Sequence, residues 1–185
     1  MSLVSAPGHL ADVWPSLKTH TLGDIADFPL LLETVQRVAP DAILHLAAQP
    51  LVLPSFTDPV GTFATNVMGT VHVLEAARHA SSVRCVLNVT SDKCYENREW
   101  TWGYRETDVL GGRDPYSASK AAAELVFSAY QDSFFKQRET LGASSVRAGN
   151  VIGGGDWALD RIVPDCIRSL RNSQPIVLRS PESTR

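Results

Sequence analysis

Short apolar, β-branched runs alternate with long helical segments, and that alternation leaves this chain very few folds. Residues 42–46 (Ala-Ile-Leu-His-Leu), 84–90 (RCVLNVT) and 144–148 are compact runs of the kind that read as strands. Between the first two, Val67, Val71, Leu74 and Ala77 fall at helical spacing within residues 62–79. Between the second and third, residues 117–135 are alanine-rich and unbroken by glycine or proline, which predicts a long helix. A further helix is predicted over 162–170, where Pro164 is tolerated in the first turn, and a last short strand over 175–178. Residues 1–20 read as irregular, with Pro7, Gly8 and Pro15 as breakers. The pattern predicts an α/β fold, a Rossmann-like parallel sheet with helices on both faces. Ligands of such sheets bind beyond the carboxyl ends of the strands. The chemistry is therefore expected just after Leu46, Val89 and Ala148.

Composition narrows the class of partner. The chain has 185 residues, enough for a sizeable core. Its 17 Lys+Arg against 20 Asp+Glu give a net charge of −3, so no nucleic-acid surface is indicated. No apolar run approaches the ~20 residues of a membrane span, and no basic then apolar leader opens the chain. Cys85, Cys94 and Cys166 are odd in number and form no CxxC pair, so neither a disulfide framework nor a metal site is expected, and a reducing cytoplasm is the simplest compartment.

Tyr116 and Lys120 are four residues apart at the start of the long helix, hence on one face. A phenol ionises near ~10, and a neighbouring ammonium favours the phenolate. The pair is a sensible proton acceptor for an alcohol being oxidised, although a bland surface pair has the same spacing. Ser91 and Asp92 follow a predicted strand. They could bind a substrate hydroxyl and protonate a leaving one, or equally form a helix cap or turn. Ser117 and Lys120 match S-x-x-K, but no S-D-N or K-T-G partner follows. Asn88-Val89-Thr90 matches a glycosylation acceptor inside a predicted buried strand and reads as chance. Gly153-Gly154-Gly155-Asp156 lacks the Lys-Ser/Thr of a P-loop; it reads as a substrate loop or a plain turn. His72 and His79 share a helix face without a carboxylate spaced to complete a metal site.

Taken together, Gly23-Asp24-Ile25, His45-Leu46-Ala47-Ala48-Gln49, Ala64-Thr65-Asn66-Val67-Met68-Gly69-Thr70, Tyr116-x-x-x-Lys120 and Arg147-Ala148-Gly149-Asn150 resemble the extended short-chain dehydrogenase/reductase family of nucleotide-sugar enzymes. The longer stretches 89–106, 114–120 and 145–165 are similar to its 4,6-dehydratase branch. The resemblance implies an NAD-dependent lyase that oxidises sugar C4, eliminates across C5–C6 and returns hydride to C6, in deoxysugar biosynthesis for lipopolysaccharide O-antigen. It implies catalytic roles for Ser91, Asp92, Lys93, Tyr116 and Lys120. Tyr116, helped by Lys120 and Ser91, would act at the C4 hydroxyl, Lys93 at C5 and Asp92 at the departing C6 hydroxyl. Asp24, Ile25, Ala47, Ala48, Gln49, Tyr116 and Lys120 would hold NAD; Asn150, Arg161 and Arg185 would hold the nucleotide sugar. A homodimer through helices 63–79 and 117–135 is also implied.

The dTDP- and GDP-sugar 4,6-dehydratases of this family carry Asp-Glu where this chain has Asp92-Lys93. Lysine there resembles the enzymes that act on CDP-glucose. A dTDP-, GDP- or UDP-sugar dehydratase or epimerase, and a non-catalytic module, remain the alternatives. The family opens with a TGxxGFxG turn, which this chain lacks, and the resemblance breaks off at Arg185. Residues 1–150 are thus expected to form a partial NAD-binding domain and 151–185 the start of a substrate-binding region. The expectation is of a fragment or a truncated product that alone binds NAD poorly and lacks dehydratase activity.

Overall fold

The computed structural model describes residues 18–179 and residue 181; the irregular segment expected over 1–20, apart from its last three residues, and Arg185 lie outside them. The described residues form two compact units. One comprises Thr21–Asn97 and Arg105–Gly149; the other contains Arg98–Tyr104 and the residues from Asn150 onward.

The first unit holds a three-stranded parallel sheet of β1 (Ala42–His45), β2 (Cys85–Val89) and β3 (Gly142–Val146), in the order β1-β2-β3. Its helices are α1 (Phe28–Val38), α2 (Val52–Thr57), α3 (Pro59–Phe63), α4 (Gly69–His79) and α5 (Pro115–Tyr130). The second unit contains α6 (Ile162–Arg171), with Pro164 in its first turn as expected. No helix of the described residues is long and apolar enough to cross a membrane.

Aspartates start three of the helices of the first unit. Asp27 accepts from the Leu30 amide at the head of α1, and Asp58 from the Gly61 amide at the head of α3. Asp114 accepts from both the amide and the hydroxyl of Ser117 at the head of α5. Each side chain satisfies a donor that the helix leaves open. At the other end of α4, Arg138 donates to the carbonyls of Ala80, Ser81 and Val83, fastening the turn that leads into β2.

Parallel pairing runs Ala42↔Cys85 to His45↔Asn88, and Cys85↔Gly142 to Val89↔Val146. One face of the sheet, with Val86 and Ala143, packs on Leu74, Ala77, Phe127 and Phe135, and α1 adds Val35 to the same cluster. The sheet is Rossmann-like as expected; among the described residues its helices pack on one face, and Leu44, Cys85 and Val146 are exposed on the opposite face. The strand order gives the reason. Two right-handed crossovers that step in the same direction leave their helices on the same face.

Four expectations about individual segments shift. The helix read over 62–79 is interrupted by a π turn at Ala64–Met68, and the helix read over 117–135 begins at Pro115 and ends in a π turn at Gln131–Phe135. Strand β3 begins and ends two residues earlier than read, because its register is set by β2. Residues 175–178 form no strand and are exposed. Pro175 has no amide to donate, and no described strand lies alongside to pair with the segment.

Candidate active site

The carboxyl ends of β1 and β2 carry the loops that matter. After β2 the chain makes one 3₁₀ turn, Asp92–Cys94, capped by Ser91, whose hydroxyl accepts from the Lys93 amide. The same hydroxyl donates to Asp92 Oδ1 (3.1 Å), and Lys93 Nζ lies 3.9 Å from that oxygen. The Asp92 amide donates to the carbonyl of Ala148, tying the turn to the chain leaving β3. Thus Ser91 is a turn cap, as one reading had it, and it also gathers Asp92 and Lys93 into one cluster. Helix α5 packs directly against this turn.

Tyr116 and Lys120 lie in the first two turns of α5, and both are buried. Burial lowers the pKa of Lys120, and the carboxylate of Glu124 opposes that shift. The backbone of Tyr116 is held on two sides. Its amide donates to Ser55 Oγ, whose own proton goes to the Val52 carbonyl, and its carbonyl accepts from Ser119 Oγ.

A chain of amide contacts links this helix to the loop after β1. Asn66, only 2% exposed within the π turn, accepts from the Gln49 amide (2.8 Å) and donates to the Gln49 carbonyl (3.1 Å) and to Ser119 Oγ (2.8 Å). Gln49 Nε2 donates to Thr62 Oγ1 and the Leu51 carbonyl. The π turn is where the helix gives up regular pairing so that one side chain can reach two other elements, a frequent feature of functional sites. Ala47 and Ala48 present only methyl groups beside Gln49. Ile25, adjacent to Asp24, is fastened to α4 twice. Its carbonyl accepts from His72 Nδ1, and a Cβ at Gly69 would lie 2.9 Å from Ile25 Cγ2. His72 is thereby a structural donor.

His45 ends β1 and is buried against Thr70. The Thr70 hydroxyl gives its single proton to the Asn66 carbonyl (2.7 Å), so His45 Nε2 donates to Thr70 Oγ1 (3.1 Å). Burial, and then the charge of Lys120, push His45 down to about 4. The fold thus favours the neutral ring, whereas the unfolded chain takes up a proton near pH 6.5. This stability is fully present above that value and is lost as pH falls towards 4. We expect a loss of about 2–3 kcal/mol between pH 7 and pH 4.5, largely absent in His45→Gln. Urea unfolding of both proteins at the two pH values tests this, and equal slopes would contradict it.

In the second unit, Arg161 precedes α6 and its Nε lies 3.5 Å from Asp156 Oδ2 of the glycine-rich loop, while Asn150 opens the segment. Gly155 adopts φ 80°, so this loop contains at least one turn that glycine favours. Arg185 lies outside the described residues. Among the described residues no group of His, Cys, Asp and Glu could hold a metal ion. Cys94 is buried and its thiol is pushed up to about 11 by burial, so it is held protonated. Asn88, at the centre of the sheet, is out of reach of any glycan.

Sequence reasoning gave no role to Asn66, Ser119, Ser55, Glu124 or Gly112. Asn66, Ser119 and Glu124 share one signal, a polar residue on a partly apolar helical stretch that faces the core. Periodicity can flag such positions without saying what they touch.

The helix bearing Tyr116 and Lys120 thus packs against the Asp92–Lys93 turn at the carboxyl end of a parallel sheet, and the comparisons with known proteins agree on one enzyme family. The family model described as GDP-mannose 4,6 dehydratase matches residues 9–144, and the chain belongs to that family. More particularly, the chain is 52% identical over 168 residues to CDP-glucose 4,6-dehydratase of Salmonella typhimurium, covering 89% of this chain and 47% of that relative. It is 31% identical over 129 residues to dTDP-glucose 4,6-dehydratase 1 of Escherichia coli, covering 60% of this chain and 36% of that relative. Among solved structures, a double mutant of the dTDP-glucose 4,6-dehydratase DesIV from Streptomyces venezuelae, with NAD bound, matches with TM-score 0.78 at 28% identity. That match covers 93% of this chain and 51% of the other. The chain thus spans about half the length of the Salmonella enzyme and of DesIV.

Proposed function

We propose that this chain carries the catalytic half of an NAD-dependent nucleotide-sugar 4,6-dehydratase, with CDP-glucose as substrate and CDP-4-keto-6-deoxyglucose as product. The observation that supports it most is the clustering of Ser91, Asp92 and Lys93 in one turn packed on the helix that bears Tyr116 and Lys120. The choice of CDP-glucose rests on Lys93 and on the 52% identity to the Salmonella enzyme.

The residues present fit the cofactor. Ala47 and Ala48 would leave the end of β1 open to a planar ring, Lys120 would offer an ammonium to ribose hydroxyls, and Asp24 and Ile25 would meet the adenine. Bound NAD supplies the hydride acceptor at C4 and the hydride donor at C6. Tyr116 accepts the proton of the C4 hydroxyl, and the positive charge of Lys120 one turn away stabilises the phenolate oxygen. Ser91 orients that hydroxyl. The 4-keto group then acidifies C5–H. Lys93 takes that proton, Asp92 gives one to the C6 hydroxyl, which leaves as water, and once C6 carries the returned hydride Lys93 gives its proton back to C5. The Asp92–Lys93 ion pair already contains the protons required. Moving one proton from Lys93 to Asp92 produces the neutral amine and the carboxylic acid that the elimination uses. Asn150 and Arg161, with Arg185, bind the diphosphate, since guanidinium grips phosphate in two-point fashion; residues 151–185 thus begin the substrate-binding region, and residues 1–150 belong to the NAD-binding domain. We place the reaction in the cytoplasm. The helices over 63–79 and 117–135 pair two copies, and exposed Phe63, Met68, Leu125 and Phe134 on them support this.

Turnover of CDP-, dTDP-, UDP- and GDP-glucose by the full-length gene product tests the substrate, and preference for any base other than cytosine overturns it. Lys93→Ala is expected to lower kcat by ~10²–10⁴-fold. The 4-keto sugar should form but retain its C5 hydrogen in heavy water. Wild-type deuterium incorporation at C5 would contradict the role of Lys93.

A further inference from the structure

Glu124 stands two turns beyond Tyr116 on α5 and is 6% exposed. Its carboxylate is fully engaged. Oε1 accepts from the hydroxyls of Thr90 and Ser145, and Oε2 accepts from Arg147 Nε (3.0 Å) and Nη2 (2.9 Å). Arg147 in turn donates from Nη1 to the Glu106 carbonyl (3.1 Å), and its guanidinium lies over the Tyr95 ring, 4.8 Å from the centroid. Burial disfavours the guanidinium charge, and the hydrogen bond with Tyr95 and then the Glu124 carboxylate outweigh that cost. These partners are not scattered. Thr90 directly precedes Ser91, Tyr95 ends the 91–94 turn, and Ser145 and Arg147 flank the end of β3. Tyr95 also bridges to Leu110 in the segment that leads into α5.

We propose that the Glu124–Arg147 pair is a positioning device for the reaction. It sets the axial register of α5 against the turn after β2, so that Tyr116 and Lys120 meet Ser91, Asp92 and Lys93 at a fixed separation. The inference rests on the dehydratase reading above. Its physical basis is directional. Apolar packing alone lets a helix slide by a fraction of a turn at little cost, whereas four hydrogen bonds to two carboxylate oxygens have one geometry. The segment from Tyr116 to Glu124 is uninterrupted α-helix. A shift at Glu124 is therefore carried undiminished to Tyr116, and a misplacement of about 1 Å in an active site can cost ~10²-fold in rate. A stabilising role alone is a poor reason for the pair, because replacing a buried ion pair with apolar groups of similar volume is often neutral or stabilising.

That difference supplies the test, made in the full-length gene product. Glu124→Gln strands the guanidinium and should lower both stability and kcat. The double variant Glu124→Leu/Arg147→Met removes both charges. It should recover most of the thermal stability yet keep kcat about 10²-fold low, with KM within about threefold of wild type. Amides of residues 91–94 should exchange with heavy water faster in the double variant. Recovery of both stability and kcat would overturn the proposal and leave a purely structural pair. Should the double variant not fold, Arg147→Lys keeps the charge but loses the two-point grip, and the same kcat loss and faster exchange are expected there. Wild-type kcat and exchange in folded Arg147→Lys would overturn the proposal. A wild-type protein that turns over no nucleotide sugar defeats the dehydratase reading instead. Exchange at 91–94 still decides the register claim, and rates unchanged in the folded variant would refute it.

Discussion

Tyr116→Phe should all but abolish turnover, lowering kcat by ~10²–10⁴-fold, the typical cost of losing a general base. NAD binding should fall far less than kcat, because in the proposed site Tyr116 is one of seven residues that would hold the cofactor and phenylalanine removes only its hydroxyl. The fold should also tolerate the change. Tyr116 is tied into the structure by its backbone amide on Ser55 and its carbonyl on Ser119, and phenylalanine keeps both. The variant should therefore melt close to wild type while failing in catalysis, a combination that a purely structural tyrosine would not give. A rate above about one tenth of wild type would remove Tyr116 from the mechanism.

Gly112→Ala should damage stability and activity together. A Cβ at Gly112 would lie 2.3 Å from the Ala118 nitrogen, 2.3 Å from the Ser117 carbonyl carbon and 2.4 Å from Ser117 Cβ. Two of these atoms are backbone within the first turns of α5, and flexible side chains cannot absorb the clash. Either the 110–113 segment lifts off or the helix start moves. Overpacking of this kind costs about 1–3 kcal/mol, and we expect the upper end. Because Tyr116 lies in the displaced turn, kcat should fall by about 10²-fold. Urea unfolding and steady-state kinetics on the same preparation check both halves. A variant within about 0.5 kcal/mol of wild type would show that the segment yields more easily than its packing implies.

Much of the site was legible because its residues are contiguous in short, distinctive motifs. Ser91-Asp92-Lys93 sits on one turn, and Tyr116 and Lys120 share a helix face by their spacing alone. Their neighbourhood followed from the general rule that ligands meet parallel sheets at the carboxyl ends of strands. Asn66 and Glu124 were not legible in the same way. Each acts through partners far away in sequence: Asn66 bonds Ser119 53 positions on, and Glu124 bonds Thr90 34 positions back. Local sequence can flag Glu124 as a charge among apolar residues, alanines before it and Leu125, Val126 and Phe127 after it, without showing which strand it faces.

By itself the sequence determined the parallel α/β class, the existence of β1, β2 and β3, the long helix that bears Tyr116 and Lys120, and the residues that cluster after β2. These depend on local periodicity and on capping residues such as Asp114, which act within one or two turns of chain. Only the tertiary structure decided the rest. Strand order placed the covering helices on one face of the sheet, since handed crossovers stepping in one direction cannot do otherwise. Pairing with β2 set where β3 begins and ends, and the absence of a neighbouring described strand left residues 175–178 without a ladder. Buried polar groups needed partners in space, so Asn66 opened a π turn to reach Gln49 and Ser119, and Glu124 settled between two strands and Arg147. Those choices follow from satisfying hydrogen bonds away from water, a constraint on the whole fold that no single segment expresses.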